Sequence, residues 1–192
     1  MLYLASASPR RQELLRQVGI AFEVMPANII ETRKSGEAPN DYVKRVAADK
    51  ARSIAQKVKA QGKPRAPVLG ADTEVIVDDE VLGKPRDRAH GLAMLARLAG
   101  RRHQVASAVV VIDGDRELSA MSESFVTFES MSARQIEEYW DSGEPVDKAG
   151  GYAVQGLAAR YIRHIEGSFS GIVGLPLYEL EKLLTQIQYR RP

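Results

Sequence analysis

The stretch Met1-Leu2-Tyr3-Leu4-Ala5-Ser6-Ala7-Ser8-Pro9-Arg10-Arg11 decides how the rest of the chain is read. Its apolar run stops at small hydroxyl residues, and the next segment places Leu14, Leu15 and Val18 at helical spacing before Gly19. This predicts a strand, a tight turn and a helix. Ser8 fits the N-cap, where its hydroxyl accepts from an otherwise unpaired N–H, and Pro9 fits the first helical position, where its missing donor costs nothing. The turn then offers free N–H groups, two hydroxyls and two guanidinium groups at the positive end of a helix, which suits a polyanion. A capped helix with two solvated arginines has the same local pattern. Arg11, however, stands three, four and seven residues before Leu14, Leu15 and Val18, so it shares their inward face, where a cation needs an anionic partner.

Working outward, 192 residues at 44% hydrophobic composition are enough to bury a real core, as one domain or as two lobes sharing a sheet. The 27 basic and 25 acidic side chains leave a net charge of +2, so nothing sequence-wide draws the chain to nucleic acid and none is expected as a partner. Any anion site must be local. Without cysteine there is no disulfide, thiolate nucleophile or thiolate zinc ligand. His90, His103 and His164 are scattered without ligand spacing and read as ordinary surface or edge residues. The N-terminus lacks a signal-peptide pattern and no apolar run reaches the ~20 residues of a membrane span, so the expected location is the cytoplasm and no membrane partner is expected.

Phe22 to Met25 reads as a short strand, followed by a polar loop that carries Glu31 after Ile29 and Ile30. Pro39 to Lys59 is the longest helical pattern, and Lys50 falls on its apolar stripe between Val46, Ala47 and Ile54. Its charged head must either snorkel outward or meet an anion. Pro67 to Thr73 is an apolar run whose Gly70-Ala71-Asp72-Thr73 ending places a carboxylate at a strand end beside residues too small to block it. An Asp capping the following turn has the same pattern. Glu74 to Val77 and Glu80 to Leu82 flank Asp78-Asp79 as a hairpin, and Lys84, before Pro85, can reach back toward the same cleft. Asp87 caps a helix to Ala99, and Val105 to Ile112 pairs with Leu118 to Phe128 across Asp113-Gly114-Asp115-Arg116. Ser132 and Gln135 form a capping box for a short helix ending near Gly143. Asp147 to Gly156 is a glycine-rich loop holding Lys148 and Gln155. A strand over Arg160 to Ile165, a loop over Gly167 to Gly174 and a final helix opened by Pro176 complete the chain.

The strand ends thus offer carboxylates at Glu31 and Asp72 and cations at Arg10, Arg11, Lys50, Lys84 and Lys148. Oxygen ligands without a Cys or His cluster favour a hard divalent cation, most simply Mg²⁺. The chemistry this supports is phosphoanhydride hydrolysis, with metal and cations neutralising a polyphosphate while an acid activates water. The Walker pattern GxxxxGK[ST] is absent, which argues against a P-loop NTPase.

Leu4 to Arg11, Gly70 to Thr73, Lys84-Pro85, Asp147 to Gly150 with Tyr152 and Gln155-Gly156, and Val173 to Pro176 together resemble the motif set of the Maf family, septum-formation-inhibitor-like nucleoside triphosphate pyrophosphatases. The match runs in one order over nearly the whole chain. The resemblance implies an α/β fold, residues 1–192 forming two lobes around an elongated mixed sheet with a central cleft, similar to inosine triphosphate pyrophosphatases, and a homodimer. It implies cleavage of a nucleoside triphosphate between the α and β phosphates with a divalent metal, Mg²⁺ or Mn²⁺. Asp72 matches the family's catalytic acid, and Ser8, Arg11, Glu31, Lys50, Lys84 and Lys148 match positions that hold phosphate or metal, with Glu31 and Asp72 as the metal carboxylates. Arg10, Thr73 and Gln155 resemble the branch acting on dTTP and UTP, where the 7-methyl-GTP branch carries Trp, Gln and Glu. Gly151 stands where other members often have Ala. A house-cleaning role on modified pyrimidine triphosphates and a link to septum formation are further implications, with a non-catalytic nucleotide-binding regulator of cell division as the rival expectation.

Overall fold

The opening stretch folds as its sequence predicts. Leu2–Leu4 form β1, and Ser8 caps α1 (Pro9–Gln17), its hydroxyl accepting from the Arg11 amide at 3.5 Å while Pro9 fills the first turn. The chain, a computed structural model that describes residues 1–190, then continues through β2 (Phe22–Val24), α2 (Pro39–Ala60), β3 (Val68–Val77), β4 (Glu80–Leu82) and α3 (Arg88–Leu98). It is completed by β5 (Arg102–Asp113), β6 (Arg116–Phe128), α4 (Ala133–Asp141), β7 (Ile162–Glu166), α5 (Phe169–Val173) and α6 (Leu177–Gln186). Seven strands form one sheet in the order β2-β1-β3-β5-β6-β7, with β4 also on β3. β1 lies parallel to β2 and β3, and every other pairing is antiparallel, so the sheet is mixed as expected.

Alternation along β3 and β5 divides the core. On one face Ile76, Ala106, Ala108 and Val110 pack under Val43, Val46, Ala47 and Ala51 of α2. On the other, Leu69, Ala71, Val109 and Val111 join Leu2, Leu4, Leu15 and the α6 leucines, while Val75, Val77 and Val105 join a separate cluster with Leu95, Phe128 and Tyr139. β5 is therefore covered on both faces, which is why Val105 to Val111 show no polar alternation. Thr73 and Ser107, paired across the two strands, fall between the two clusters on the second face. The sheet thus carries a polar interruption midway along its apolar lining.

Three elements and one residue differ from the sequence reading. β3 does not end at Thr73 but runs unbroken through Glu74 to Val77, because β5 pairs it from Val68 to Ile76. Gly167 to Gly174 is not wholly a loop, since Ser168 caps α5 by accepting from the Gly171 amide. The last strand starts at Ile162, since Leu157–Tyr161 coil into a short 3₁₀ turn. His103 is no surface residue, at 3% exposed. It lies on the central strand β5, where its Nε2 meets the Tyr152 hydroxyl at 2.8 Å and burial pushes its pKa down to about 4.

Candidate active site

The site is made by a gap in strand pairing. Along one edge of β3, β1 pairs with Val68 and Leu69, and β4 pairs with Val75 to Val77. Between them neither strand covers the edge, and the cleft of about 520 Å³ opens there. Its walls are the Ala5 to Arg11 turn leaving β1, Lys84 leaving β4, the Asp147 to Gln155 loop, and Val173-Gly174 at the end of α5. Asp72 accordingly sits not at a strand end, as the sequence suggested, but in mid-strand, exposed to the cleft because its neighbour strand stops short. Arg10, Arg11, Ser8, Glu31, Lys50, Asp72, Thr73, Lys84, Lys148 and Gln155 all line this one cleft.

Lys50 reaches Asp72 because α2 lies unusually close to β3. At Gly70 an added Cβ would stand 2.3 Å from the Ala47 carbonyl oxygen and 2.8 Å from Ala51. Only glycine admits that approach. Lys50, 8% exposed, therefore meets an anion rather than snorkelling: its Nζ donates at 2.8 Å to Asp72 Oδ1 and at 2.8 Å to Glu31 Oε2. Asp72 is 4% exposed, and burial pushes its pKa upward against the pull of Lys50 and Arg11. Its second oxygen, Oδ2, is buried without a partner.

Glu31 is brought in by a loop clamped onto α2. Arg45 grips the Glu37 carboxylate at 2.6 and 2.8 Å and the Thr32 carbonyl at 3.0 Å, while the Tyr42 hydroxyl donates to the Glu31 carbonyl at 3.1 Å. Arg45 holds the Glu37 carboxyl well below the usual range, at about 2.

Arg11 points inward, as its helical phase required. Its Nε donates to the Gly174 carbonyl at 2.9 Å and its Nη1 to Ser6 Oγ at 3.0 Å, and Ser6 Oγ also accepts from the Ser8 amide at 3.2 Å. Gly174 closes α5 with φ 136°, a backbone conformation that favours glycine, and so presents its carbonyl to Arg11. The Ser107 hydroxyl donates to the Gly171 carbonyl at 2.6 Å, which leaves the Thr73 hydroxyl to donate to Ser107 at 2.8 Å, with the Gly174 carbonyl at 3.3 Å. A row of hydroxyls thereby seats α5 on the polar interruption of the sheet.

The cations are crowded. Burial lowers the pKa of Arg10, Arg11 and Lys148, and Arg10 depresses both Arg11 and Lys148 further. Among the described residues Lys148 donates only to the Glu144 backbone carbonyl, at 2.6 Å, and Lys84 makes no hydrogen bond or ion pair. Cations facing a cleft without carboxylate partners are arranged for an anion that arrives from outside. The sequence reading gave no role to Tyr42 or Glu74, and it named Ser6 and Gly174 only within the opening turn and the Val173 to Pro176 motif. Glu74, 9% exposed, lies two residues past Asp72 on the same face of β3, and burial together with Asp72's charge pushes its pKa up to about 8. Period-two spacing would have revealed it had β3 been read as one strand.

A mixed α/β sheet with an acid on its floor and a capped helix N-terminus, two arginines and two lysines on its walls defines a protein built to hold a phosphorylated ligand against a carboxylate. Residues 1–187 match the family described as Maf-like protein, and the chain belongs to that family. It is 47% identical over 193 residues to the dTTP/UTP pyrophosphatase of Alkalilimnicola ehrlichii, covering 99% of this chain and 95% of that protein. It is 50% identical to the proteins of that name from Bordetella avium (95% of this chain, 93% of the relative) and Xanthomonas campestris pv. campestris (96% and 97%). Among the described residues no helix is long and apolar enough to cross a membrane.

Proposed function

We propose that the protein hydrolyses nucleoside triphosphates, dTTP and UTP foremost, between the α and β phosphates to give the monophosphate and pyrophosphate. The observation that carries this reading is the Lys50–Asp72 pair on the open edge of β3, in a cleft walled by cations that have no carboxylate partner among the described residues. The Ser8 hydroxyl, the Arg10 amide at the start of α1, Arg11, Lys84 and Lys148 take the phosphate oxygens. Asp72, one oxygen fixed by Lys50 and the other unpartnered, accepts the proton of the attacking water. Arg11, tied to Gly174 and Ser6, is held in place before substrate arrives.

The donor set suits a hard divalent cation, Mg²⁺ or Mn²⁺. Only carboxylate oxygens are available, Glu31 and Asp72 converge on one ammonium, and Asp72 keeps a free oxygen. No group of three acidic or histidine side chains able to hold a metal ion exists among the described residues, so phosphate oxygens and water must complete the ligand set. When bound, the ion would neutralise polyphosphate charge and polarise the phosphorus under attack.

Selection of the base falls to Arg10, Thr73 and Gln155. Gln155 can donate and accept at once on a uracil or thymine edge, and Thr73, its hydroxyl proton committed to Ser107, shapes the pocket rather than donating. The names of the relatives support the pyrimidine assignment. House-cleaning of the cytoplasmic nucleotide pool, by a homodimer, is the setting we propose.

The deciding experiment measures pyrophosphate release from dTTP, UTP and 7-methyl-GTP with Mg²⁺ or Mn²⁺. Release from dTTP and UTP, abolished by Asp72→Asn with nucleotide binding retained, is expected. Binding of dTTP without release under any divalent ion would refute the enzyme, and preference for 7-methyl-GTP would refute the use made of Arg10, Thr73 and Gln155.

A further inference from the structure

Glu74 is a buried acid of the cleft that the reaction above does not employ. It is 9% exposed, lines the cleft, and makes no hydrogen bond or ion pair with any of the described residues, its Oε2 being fully buried. The groups that could have neutralised it are spent elsewhere: Lys50 on Asp72 and Glu31, and the Tyr42 hydroxyl on the Glu31 carbonyl. A carboxyl group taken out of water with no partner is costly, whether it keeps its charge or holds a proton, and a bound cation would remove that cost. Asp72, two residues earlier on the same strand face, leaves Oδ2 orphaned in the same way. Two buried carboxylate oxygens without partners among the described residues thus belong to neighbouring side chains of one strand face that line the same cleft, and such oxygens are the donors a hard cation takes.

We propose that Glu74 is a cation ligand: its carboxylate contacts the divalent ion directly, beside Asp72 on the same strand face. The number of carboxylates fits an ion that takes one or two from protein and the rest from phosphate oxygens and water. This assignment rests on the pyrophosphatase reading for the phosphates, but its test does not need turnover.

Electron paramagnetic resonance of Mn²⁺ counts bound ion directly, with protein alone and with the non-hydrolysable α,β-imido analogue of dTTP. Glu74→Gln keeps size and removes charge. Its Mn²⁺ affinity is expected to fall by about tenfold or more, while its thermal midpoint in EDTA stays at or above that of the wild type. Glu74→Asp, which keeps a shorter carboxylate, is expected to bind between the two and serves if the Gln variant folds poorly. Mn²⁺ affinity of Glu74→Gln within about twofold of wild type, or no Mn²⁺ bound by the wild type in either condition, overturns the assignment. Wild type that binds Mn²⁺ through Glu74 yet releases no pyrophosphate overturns the enzyme reading and leaves this site standing. Wild type that releases pyrophosphate, with Glu74→Gln requiring the same Mn²⁺ concentration, overturns this site alone.

Discussion

Replacing Lys50 by Met keeps most of the stem's volume and deletes the charge between Asp72 and Glu31. The Asp72 end matters most, because that carboxylate is 4% exposed whereas Glu31 is 43% exposed at the side chain. Removing one partner of a buried pair costs about 3–5 kcal/mol, and the exposed Glu31 contact adds no more than about 1. The variant has an escape: Asp72 can take up a proton. Protonating an ordinary aspartate costs about 5 kcal/mol at pH 7.5 and about 1.5 at pH 5, so the loss is capped differently at the two values. Burial already raises the folded carboxyl above the unfolded one, and with Lys50 gone it holds its proton to still higher pH. The folded state then binds more protons, and stability falls as pH rises. We expect a destabilisation of about 4 kcal/mol at pH 7.5 and no more than about 1.5 at pH 5. For a chain of this length that is a melting point lower by roughly 8–16 °C at pH 7.5 but only about 3–6 °C at pH 5. Thermal and urea unfolding at both pH values measure it, and Lys50→Met combined with Asp72→Asn should recover most of the loss. Equal losses at both pH values, or none at either, would refute the reasoning.

His103, neutral inside the core beside Phe128 and Tyr152, contributes a second pH dependence of opposite sign. Its pKa is pushed from 6.5 to about 4 by burial and by Arg101. The unfolded state therefore binds more protons between these values, and stability is lost as pH falls through them, by up to roughly 3 kcal/mol. Urea unfolding of His103→Gln should show that part of the slope missing; a difference from wild type that does not vary between pH 4 and 6.5 argues against it. Arg45→Ala should loosen the loop that carries Glu31 without unfolding the protein, because the bonds it removes tie that loop to α2 and lie outside the apolar core. Pyrophosphate release should drop by roughly tenfold through misplaced Glu31, an effect that disappears when Glu31 is already Gln. Additive losses in that double-mutant cycle would remove Arg45 from the site.

Much was legible because it is local. Ser8-Pro9 before a periodic segment, the Asp113 to Arg116 turn and the Ser132–Gln135 box set their elements through hydrogen bonds within a few residues, and each element formed as read. The helical phases of Arg11 and Lys50 sufficed to turn both inward, because 3.6-residue periodicity fixes which face a side chain shares. What phase cannot supply is the identity of the partner. Arg11 pairs with Gly174 at a separation of 163 residues, and Lys50 with Asp72 across a helix–strand contact that exists because Gly70 has no Cβ. Nor could the chain alone show that β3 continues past Thr73. Its length is set by the long register with β5, and the cleft by where β1 ends and β4 begins along the opposite edge. Sequence determined the elements, their inward faces and the residue types of the site. The tertiary structure decided which of those faces meet, and so which carboxylate, Glu74, was left buried without a partner, because burial and pairing depend on strands and helices that lie far apart along the chain.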